Sequence, residues 1–219
     1  MSNRRVFLMV GAGLLMGQGG VALAASPAAS PAAPATQTTA LPRNSMYQLQ
    51  VGLTDQDGHA VRWEDSAGPA GGATPQRGPR IVSMFYSNCD MVCPMLFEAI
   101  RVIEGKLPEP QRKRLQVGLI TLDPARDNVA TLKKTAAQRG GDPERWHLYR
   151  TNAADVRKVA GVLGVQYRRL SSGEFNHSTP IILLDGQGVE LARTENIAKP
   201  DAGFIKAVQK ATMAGAGGV

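Results

Sequence analysis

YSNCDMVCP, residues 86–94, holds both cysteines of this 219-residue chain. The residues before it, 80–86, form a short apolar run with strand character, whereas the apolar residues after it recur at the i, i+3 and i+4 spacing of one helix face. Pro94 falls in the first turn of that helix, where its missing N–H group costs nothing. The stretch therefore predicts a strand, a loop that carries two cysteines, and a helix.

The two cysteines, Cys89 and Cys93, are expected at the N-terminus of this helix, where unpaired N–H groups and the helix dipole favour the thiolate. Three residues separate them, one more than in the usual redox motif C-x-x-C. If the helical turn extends that far, the sulfurs lie about one turn apart. Two thiolates at that distance can close a disulfide or hold one soft metal ion between them.

Residues 1–25 have the layout of a secretory signal peptide, with a basic start at Arg4 and Arg5, an uncharged apolar run and small residues at the end. The two arginines also resemble a twin-arginine signal. The same run is about long enough to serve instead as an uncleaved membrane anchor. Either alternative places the rest of the chain in the periplasm or another extracytoplasmic compartment.

Residues 26–43 consist mainly of Ala, Pro, Ser and Thr with almost no charge, which predicts a disordered linker. The remainder, 44–219, is one domain's worth of sequence. Without Arg4 and Arg5 the formal net charge falls from +7 to +5, and the basic residues form no stripe with interleaved aromatic residues. This pattern argues against nucleic-acid binding, and we expect a monomer.

Local patterns predict the other elements of the domain. Alternating apolar residues in 47–53 and the turn sequence D-Q-D-G predict an N-terminal β-hairpin. Further elements are predicted as strands at 114–121 and 146–149, helices ending near 139 and spanning 153–163 and 200–213, an extended segment at 166–170, and a second hairpin at 179–193. This order is typical of a mixed α/β protein with helices on both faces of a central sheet. A cysteine loop after an inner strand makes the arrangement thioredoxin-like, and the N-terminal hairpin is an addition to it.

The three histidines differ in their surroundings. His59 follows the N-terminal turn and is expected to be a solvated turn residue, and His147 lies in a predicted strand, where a structural role is expected. His177 stands in a polar loop that enters a strand, and thioredoxin-like folds bring that loop against the cysteine turn. It can therefore supply an imidazole as a third ligand.

Two thiolates and one imidazole are a soft donor set that suits copper, particularly Cu(I), better than hard cations. A structural zinc site would need a fourth ligand, and no residue with ligand spacing supplies one. Met91 lies between the cysteines and is kept as a soft neighbour. Met84 and Met95 are expected in the core.

Three motifs together resemble the SCO/SenC family of copper chaperones for cytochrome c oxidase assembly. The segment 86–94 is similar to Y-T-x-C-P-D-V-C-P, and 123–127 is similar to D-P-x-R-D. N-H-S at 176–178, followed by a strand and D-x-x-G at 185–188, is similar to D-H-S…D-x-x-G. The resemblance covers most of residues 44–212.

The resemblance implies a thioredoxin-like fold and copper ligands at Cys89, Cys93 and His177. It implies a copper-binding chaperone that carries Cu(I) or Cu(II), takes it from an upstream donor chaperone, and delivers it to the copper-site subunit of an apo-cytochrome oxidase. The chain departs from the pattern in two places: Asp90-Met91 replaces Pro-Asp between the cysteines, and Asn176 replaces an Asp before the histidine.

The same cysteines allow other functions. As a thiol-disulfide oxidoreductase, the protein would reduce target cysteines, with Cys89 as the attacking thiol and Cys93 as the resolving one. A peroxiredoxin-type peroxidase would have Thr or Ser three residues before its cysteine, where this chain has Tyr86 and Asp90. A purely structural disulfide would close a very small loop and would therefore contribute little stability.

The acidic residue beside Cys89 suggests a further expectation. Repulsion by Asp90 would raise the pKa of Cys89 and make it the more basic of the two thiols. The alternative is that Asp90 caps the following helix.

Overall fold

The described residues of the computed structural model are 41–64, 78–199 and 201–214. The predicted signal peptide or anchor, residues 1–25, lies outside them, as does nearly all of the predicted linker, 26–43. No helix in the described part of the chain is long and apolar enough to cross a membrane.

Runs rich in Val, Ile and Leu form the inner strands of a mixed, seven-stranded sheet, and two further short strands form a second sheet. The strands of the described residues are β1 (Gly52–Asp55), β2 (Ala60–Arg62), β3 (Arg80–Phe85), β4 (Gln116–Thr121), β5 (Trp146–Arg150), β6 (Tyr167–Arg169), β7 (Phe175–His177), β8 (Ile181–Leu184) and β9 (Glu190–Thr194). The helices are α1 (Val92–Gly105), α2 (Glu109–Arg112), α3 (Val129–Arg139), α4 (Ala153–Leu163) and α5 (Ala202–Ala214).

The large sheet has the strand order β2-β1-β5-β4-β3-β8-β9. Strands β3, β4 and β5 are parallel, and their connections contain α1 and α3. Strand β8 pairs antiparallel with β3, and β9 lies outside it. The N-terminal hairpin joins the opposite side through antiparallel pairing of β1 with β5. The prediction of a thioredoxin-like α/β fold with an added N-terminal hairpin is confirmed.

Helix α1 is held against the sheet by one apolar face, which fixes the position of the cysteines at its start. Its buried apolar residues recur at helical spacing and are Cys93, Leu96, Phe97, Ile100 and Ile103. The Phe97 ring lies edge-on to Phe85 of β3 at a centroid distance of 5.6 Å and stacks on Trp146 of β5 at 6.1 Å. Burial of one such aromatic side chain stabilises the fold by about 1.5–3 kcal/mol.

The start of the domain differs from the expected strand. Met46–Gln48 forms a short 3-10 helix, and the first strand of the hairpin begins only at Gly52. Tyr47 is fully buried and packs against Gly188, where an added Cβ would lie 2.6 Å from the tyrosine ring. Packing against the distant β8–β9 turn therefore overrides the local alternation of apolar residues.

The segment before the last hairpin also differs. Phe175–His177, predicted to lie in a polar loop, forms β7 and pairs antiparallel with β6. Tyr167 and Phe175 contact across this pair, with ring centroids 6.2 Å apart. We call residues 167–177 the histidine hairpin, because its last residue is His177.

Candidate metal centre

Both cysteines lie where strand β3 passes into helix α1, in a segment, residues 86–93, that we call the cysteine loop. Cys89 is 5% exposed and Cys93 is fully buried, and both are free thiols. The backbone N–H of Cys93 donates a hydrogen bond to Cys89 Sγ at 3.3 Å, and the backbone N–H of Met91 also donates to this sulfur. The prediction that both cysteines lie at the N-terminus of this helix is confirmed: Cys93 lies in the first turn of α1, and Cys89 lies two residues before the N-cap residue, Met91.

The hydrogen bonds around the two sulfurs make the thiols unequal. A hydrogen bond from the Cys93 side chain lowers the pKa of Cys89 to about 5, and the two backbone N–H groups and the Tyr86 hydroxyl act in the same direction against the effect of burial. The hydrogen bond to Cys89, together with burial, raises the pKa of Cys93 far above that of an ordinary thiol. At neutral pH the pair therefore carries one negative charge, on Cys89.

This result overturns the expectation for Asp90. We expected its charge to make Cys89 the more basic thiol, but Cys89 is the more acidic one because its sulfur accepts hydrogen bonds, first from the Cys93 side chain and then from the backbone N–H groups of Cys93 and Met91. The alternative role as a helix cap is also wrong, since Met91 occupies the N-cap position and no side chain caps the helix there. Asp90 is exposed to solvent.

Tyr86, at the start of the cysteine loop, connects the loop to the histidine hairpin. Its hydroxyl donates to Glu174 Oε2 at 2.7 Å and also hydrogen bonds Cys89, so two acceptors share one proton. Burial, with the hydrogen bond to Glu174, raises the pKa of Tyr86, and the hydroxyl stays protonated. The Tyr86 ring contacts the rings of Phe175 and His177 edge-on, at centroid distances of 5.3 and 5.6 Å.

His177 has the hydrogen-bonding pattern of a metal-binding histidine. Its Nδ1 lies 2.9 Å from the backbone oxygen of Ser178, and because a carbonyl can only accept, Nδ1 carries the proton. The lone pair therefore resides on Nε2, which is buried and has no hydrogen-bond partner among the described residues. Metal-binding histidines commonly donate their other N–H group to a carbonyl in this way. A shallow cavity of about 520 Å³ adjoins the ring and is lined by Gln166, Tyr167, Arg168, Asn176, His177 and Ser178.

The structure brings the cysteines together and places His177 against Tyr86, which itself contacts Cys89. It does not close the expected three-ligand set: within the described ranges, no group of three His, Cys, Asp or Glu side chains is arranged to hold a metal ion. The assignment of Cys89, Cys93 and His177 as copper ligands therefore stays a prediction.

The D-P-A-R-D motif at 123–127 supports both halves of the centre. Asp127 is buried, and its Oδ2 accepts hydrogen bonds from the Ser87 backbone N–H at 3.0 Å and from the Thr121 hydroxyl. Arg126 pairs with Asp123 and donates to the backbone oxygen of Gly173, in the turn of the histidine hairpin, at 2.6 Å. One motif therefore fixes the start of the cysteine loop and the turn of the hairpin.

Several contributors to the centre were not assigned a role from the sequence. Glu174 also accepts from Asn88 Nδ2 at 3.1 Å, and Arg139 Nη1 donates to the Cys89 backbone oxygen at 3.2 Å. The position of Tyr86 within the cysteine motif is the sequence signal that could have indicated its role. No local pattern indicates Glu174 or Arg139, because their partners are distant in the sequence.

The other candidate ligands behave in different ways. His59 is exposed and pairs with Asp55 at 3.1 Å beside the first turn, and His147 lies in β5 with a pKa lowered mainly by burial, so neither prediction changes. Met84 is fully buried, as expected. Met95 was expected in the core but is 39% exposed, and Met91 is 74% exposed.

Comparisons with known proteins identify the family of the chain. The model of the SCO1/SenC family matches residues 42–212. A curated protein of Stutzerimonas stutzeri, whose name proposes copper binding, is 42% identical over 48 residues, which is 22% of this chain and only 24% of that protein's length.

Solved structures of the same fold include two Sco proteins. A SCO1/SenC family lipoprotein from Bacillus anthracis matches with a TM-score of 0.63 and 19% identity over 74% of this chain and 93% of that one. ScoI of Bradyrhizobium japonicum, solved with copper bound, matches with a TM-score of 0.56 and 21% identity over 74% of this chain and 98% of that one. Because the family model matches residues 42–212, well over half of the chain, the chain belongs to the SCO1/SenC family.

Proposed function

We propose that the protein is an extracytoplasmic copper chaperone that holds copper through Cys89, Cys93 and His177 and delivers it to a respiratory cytochrome oxidase during assembly. Copper is the cargo rather than a resident cofactor. The observation that carries the proposal is the donor set: a thiolate beside a thiol, and a buried Nε2 of His177 with no partner in the described residues, both in contact with Tyr86. Sulfur and imidazole donors suit copper.

The two cysteines have different roles in this proposal. Cys89 is the first donor, because its sulfur is already a thiolate at neutral pH. Cys93 is protonated and binds only when the metal displaces its proton to solvent, since a coordinated thiol is deprotonated. Copper binding is therefore accompanied by proton release.

His177 completes the set when the histidine hairpin moves towards the sulfurs. The Tyr86 hydroxyl bonds both Cys89 and Glu174 in the metal-free arrangement. When copper takes the Cys89 sulfur, the hydroxyl keeps only Glu174 as its acceptor, and the Tyr86 ring is in edge-on contact with the imidazole. Tyr86 is therefore a positioning residue for two of the three ligands.

The proposed function also implies partner proteins and a cellular location for this protein. An exported or membrane-tethered chaperone meets a donor chaperone on one side and the copper-site subunit of the apo-oxidase on the other. The signal or anchor predicted in residues 1–25 supports this location, as does the Bacillus anthracis relative that is called a lipoprotein.

Anaerobic titration of the reduced protein with Cu(I) and with Cu(II), followed by absorption spectroscopy, tests the proposal. We expect one tightly bound copper ion per chain in each state and a thiolate-to-Cu(II) charge-transfer band. The matched control is the Cys89→Ser/Cys93→Ser variant, which keeps His177 and should lose both tight binding and the band. Tight binding that survives in the control would contradict the proposal.

A second candidate is a thiol-disulfide reductase of target cysteines. The low pKa of Cys89, about 5, favours it, because a thiolate at neutral pH attacks disulfides and the neighbouring Cys93 can resolve the mixed disulfide. Fast disulfide turnover with no tight copper binding would favour this candidate over the chaperone.

A further inference from the structure

Two methionine side chains lie exposed beside the buried cysteines. Met91 is 74% exposed and Met95 is 39% exposed, whereas Cys89 is 5% exposed and Cys93 is fully buried. Thioethers are neutral, soft donors that bind Cu(I), and they need no deprotonation. The solvent-exposed surface next to the buried cysteines therefore also carries soft sulfur donors, the thioethers of Met91 and Met95.

The geometry places both thioethers on one side of the helix start. Met91 is the N-cap residue with right-handed helical backbone angles, φ −119° and ψ −63°, and Met95 follows four residues later in α1. Side chains at i and i+4 are neighbours, with Cβ atoms about 5–6 Å apart. The two flexible side chains can thus bring their sulfurs to one ion.

The pair is also connected to the thiolate. The backbone N–H of Met91 donates a hydrogen bond to the sulfur of Cys89, so the backbone of Met91 is in direct contact with that sulfur. The exposed large apolar residues of the described chain are Met91, Met95, Val162, Leu170, Leu191 and Met213. Among these six, only Met91 and Met95 are four residues apart at the start of one helix, as its N-cap residue and a residue of its first turns, and they flank Cys93 in the sequence.

We propose that Met91 and Met95 form a second, weaker Cu(I) site, an entry site from which the ion passes to Cys89 and Cys93. The proposal rests on the proposed copper-handling function. Its physical basis is accessibility. A large copper-donor protein has poor access to the buried cysteine sulfurs, whereas the exposed thioethers of Met91 and Met95 can contact it directly.

The transfer needs no change in oxidation state. Cu(I) leaves its donor when the two neutral thioethers replace the donor's ligands, and it stays Cu(I). The Cys89 thiolate then replaces one thioether, and the Cys93 sulfur replaces the other as its thiol proton goes to solvent. Both thioethers end free and unchanged, ready for the next ion.

The existence of the site is tested with Ag(I), a soft ion that mimics Cu(I) without redox chemistry. In the Cys89→Ser/Cys93→Ser variant of the full chain, we expect Ag(I) to shift the methionine Cε-methyl NMR signals of Met91 and Met95. Met213 is the matched control, because it is 59% exposed and stands on another helix, α5. Equal shifts for Met213, or no shift for Met91 and Met95, would overturn the proposal.

The entry role is tested by the rate of copper transfer. We expect Met91→Leu/Met95→Leu to accept Cu(I) from its bicinchoninate complex about tenfold more slowly than the parent protein, equivalent to about 1.4 kcal/mol of barrier. The equilibrium affinity of the cysteine site should stay unchanged, and Met213→Leu should change neither quantity. An unchanged transfer rate, or a lower equilibrium affinity, would overturn the entry role.

The failure of this inference is distinguishable from that of the chaperone proposal. If the parent protein holds Cu(I) tightly while the double methionine variant accepts it at the same rate, only the entry site is wrong. If the parent protein does not hold Cu(I) tightly, the chaperone proposal fails.

Discussion

The hydroxyl of Tyr86 donates a hydrogen bond to Oε2 of Glu174 at 2.7 Å, across 88 positions of sequence. Tyr86 opens the cysteine loop and Glu174 belongs to the histidine hairpin, so this bond joins the two parts of the candidate centre. Asn88 donates to the other oxygen of the same carboxylate at 3.1 Å. The hairpin that carries His177 is therefore fastened to the loop that carries Cys89.

The first prediction concerns the hydroxyl of Tyr86. Tyr86→Phe keeps the ring contacts but removes an O–H donor from Cys89, so the pKa of Cys89 should rise. A hydrogen bond to a charged group contributes about 1.5–3 kcal/mol, and 1.36 kcal/mol equals one pKa unit, so we expect a rise of about one to two units. The pH dependence of iodoacetamide alkylation measures it. Tyr167→Phe in β6 is the control. An unchanged midpoint of the pH dependence of alkylation in Tyr86→Phe would show that the Tyr86 hydroxyl does not stabilise the Cys89 thiolate.

The second prediction concerns stability and pH. The pKa of Cys89 is about 5 in the folded protein, below the ordinary thiol value of 9.0, so the folded state favours the thiolate. This contribution is fully present above pH 9 and is lost as the pH falls through 5. The free energy of unfolding of the reduced protein, minus that of Cys89→Ser, should therefore decrease from pH 8 to pH 5, as measured by denaturant unfolding. A difference that grows on acidification would contradict the assigned thiolate.

The third prediction concerns the imidazole. His177→Ala should weaken Cu(II) binding more than Cu(I) binding, because two sulfurs can hold linear Cu(I) whereas Cu(II) prefers additional nitrogen or oxygen donors. Loss of a residue that only supports a metal ligand already costs about 10–100-fold in affinity, so we expect at least a tenfold loss for Cu(II). Competition titrations measure both affinities. His59→Ala and His147→Ala are the controls, and equal losses in all three variants would remove His177 from the site.

The fourth prediction concerns the support of the cysteine loop. Asp127→Ala leaves the Ser87 backbone N–H without its buried acceptor, which should cost about 1–3 kcal/mol in the free energy of unfolding. Asp90→Ala is the control: Asp90 is exposed and is not a cap, so the change should stay within about 0.5 kcal/mol. Equal effects of both substitutions on denaturant unfolding would contradict the different roles assigned to the two residues.

The parts of the fold that are encoded locally could be predicted from the sequence. The apolar run of β3, the periodic apolar face of α1 and the cysteines between them fixed the position of the thiols. Helix α4 was predicted with its observed bounds, because Gly164 ends it in a left-handed conformation with φ +66°.

The parts that depend on distant contacts could not be predicted. The Tyr86–Glu174 bond joins residues 88 positions apart that no local pattern relates. Strand β7 was missed for a different reason, because residues 175–177 have the polar composition of a loop although they pair with the nearby β6. The shift in the pKa of Cys89 was predicted with the wrong sign because the charge of Asp90 is visible in the sequence, whereas the hydrogen bonds to the Cys89 sulfur from the Cys93 side chain and from the Cys93 and Met91 N–H groups are not.

The central claim, that Cys89, Cys93 and His177 share one copper ion, is tested most directly by X-ray absorption spectroscopy of the Cu(I)-loaded protein. The account predicts two sulfur neighbours and one nitrogen neighbour at copper, with the nitrogen absent in His177→Ala and both sulfurs retained. A sulfur-only site in the parent protein, or a nitrogen neighbour that persists in His177→Ala, would contradict it.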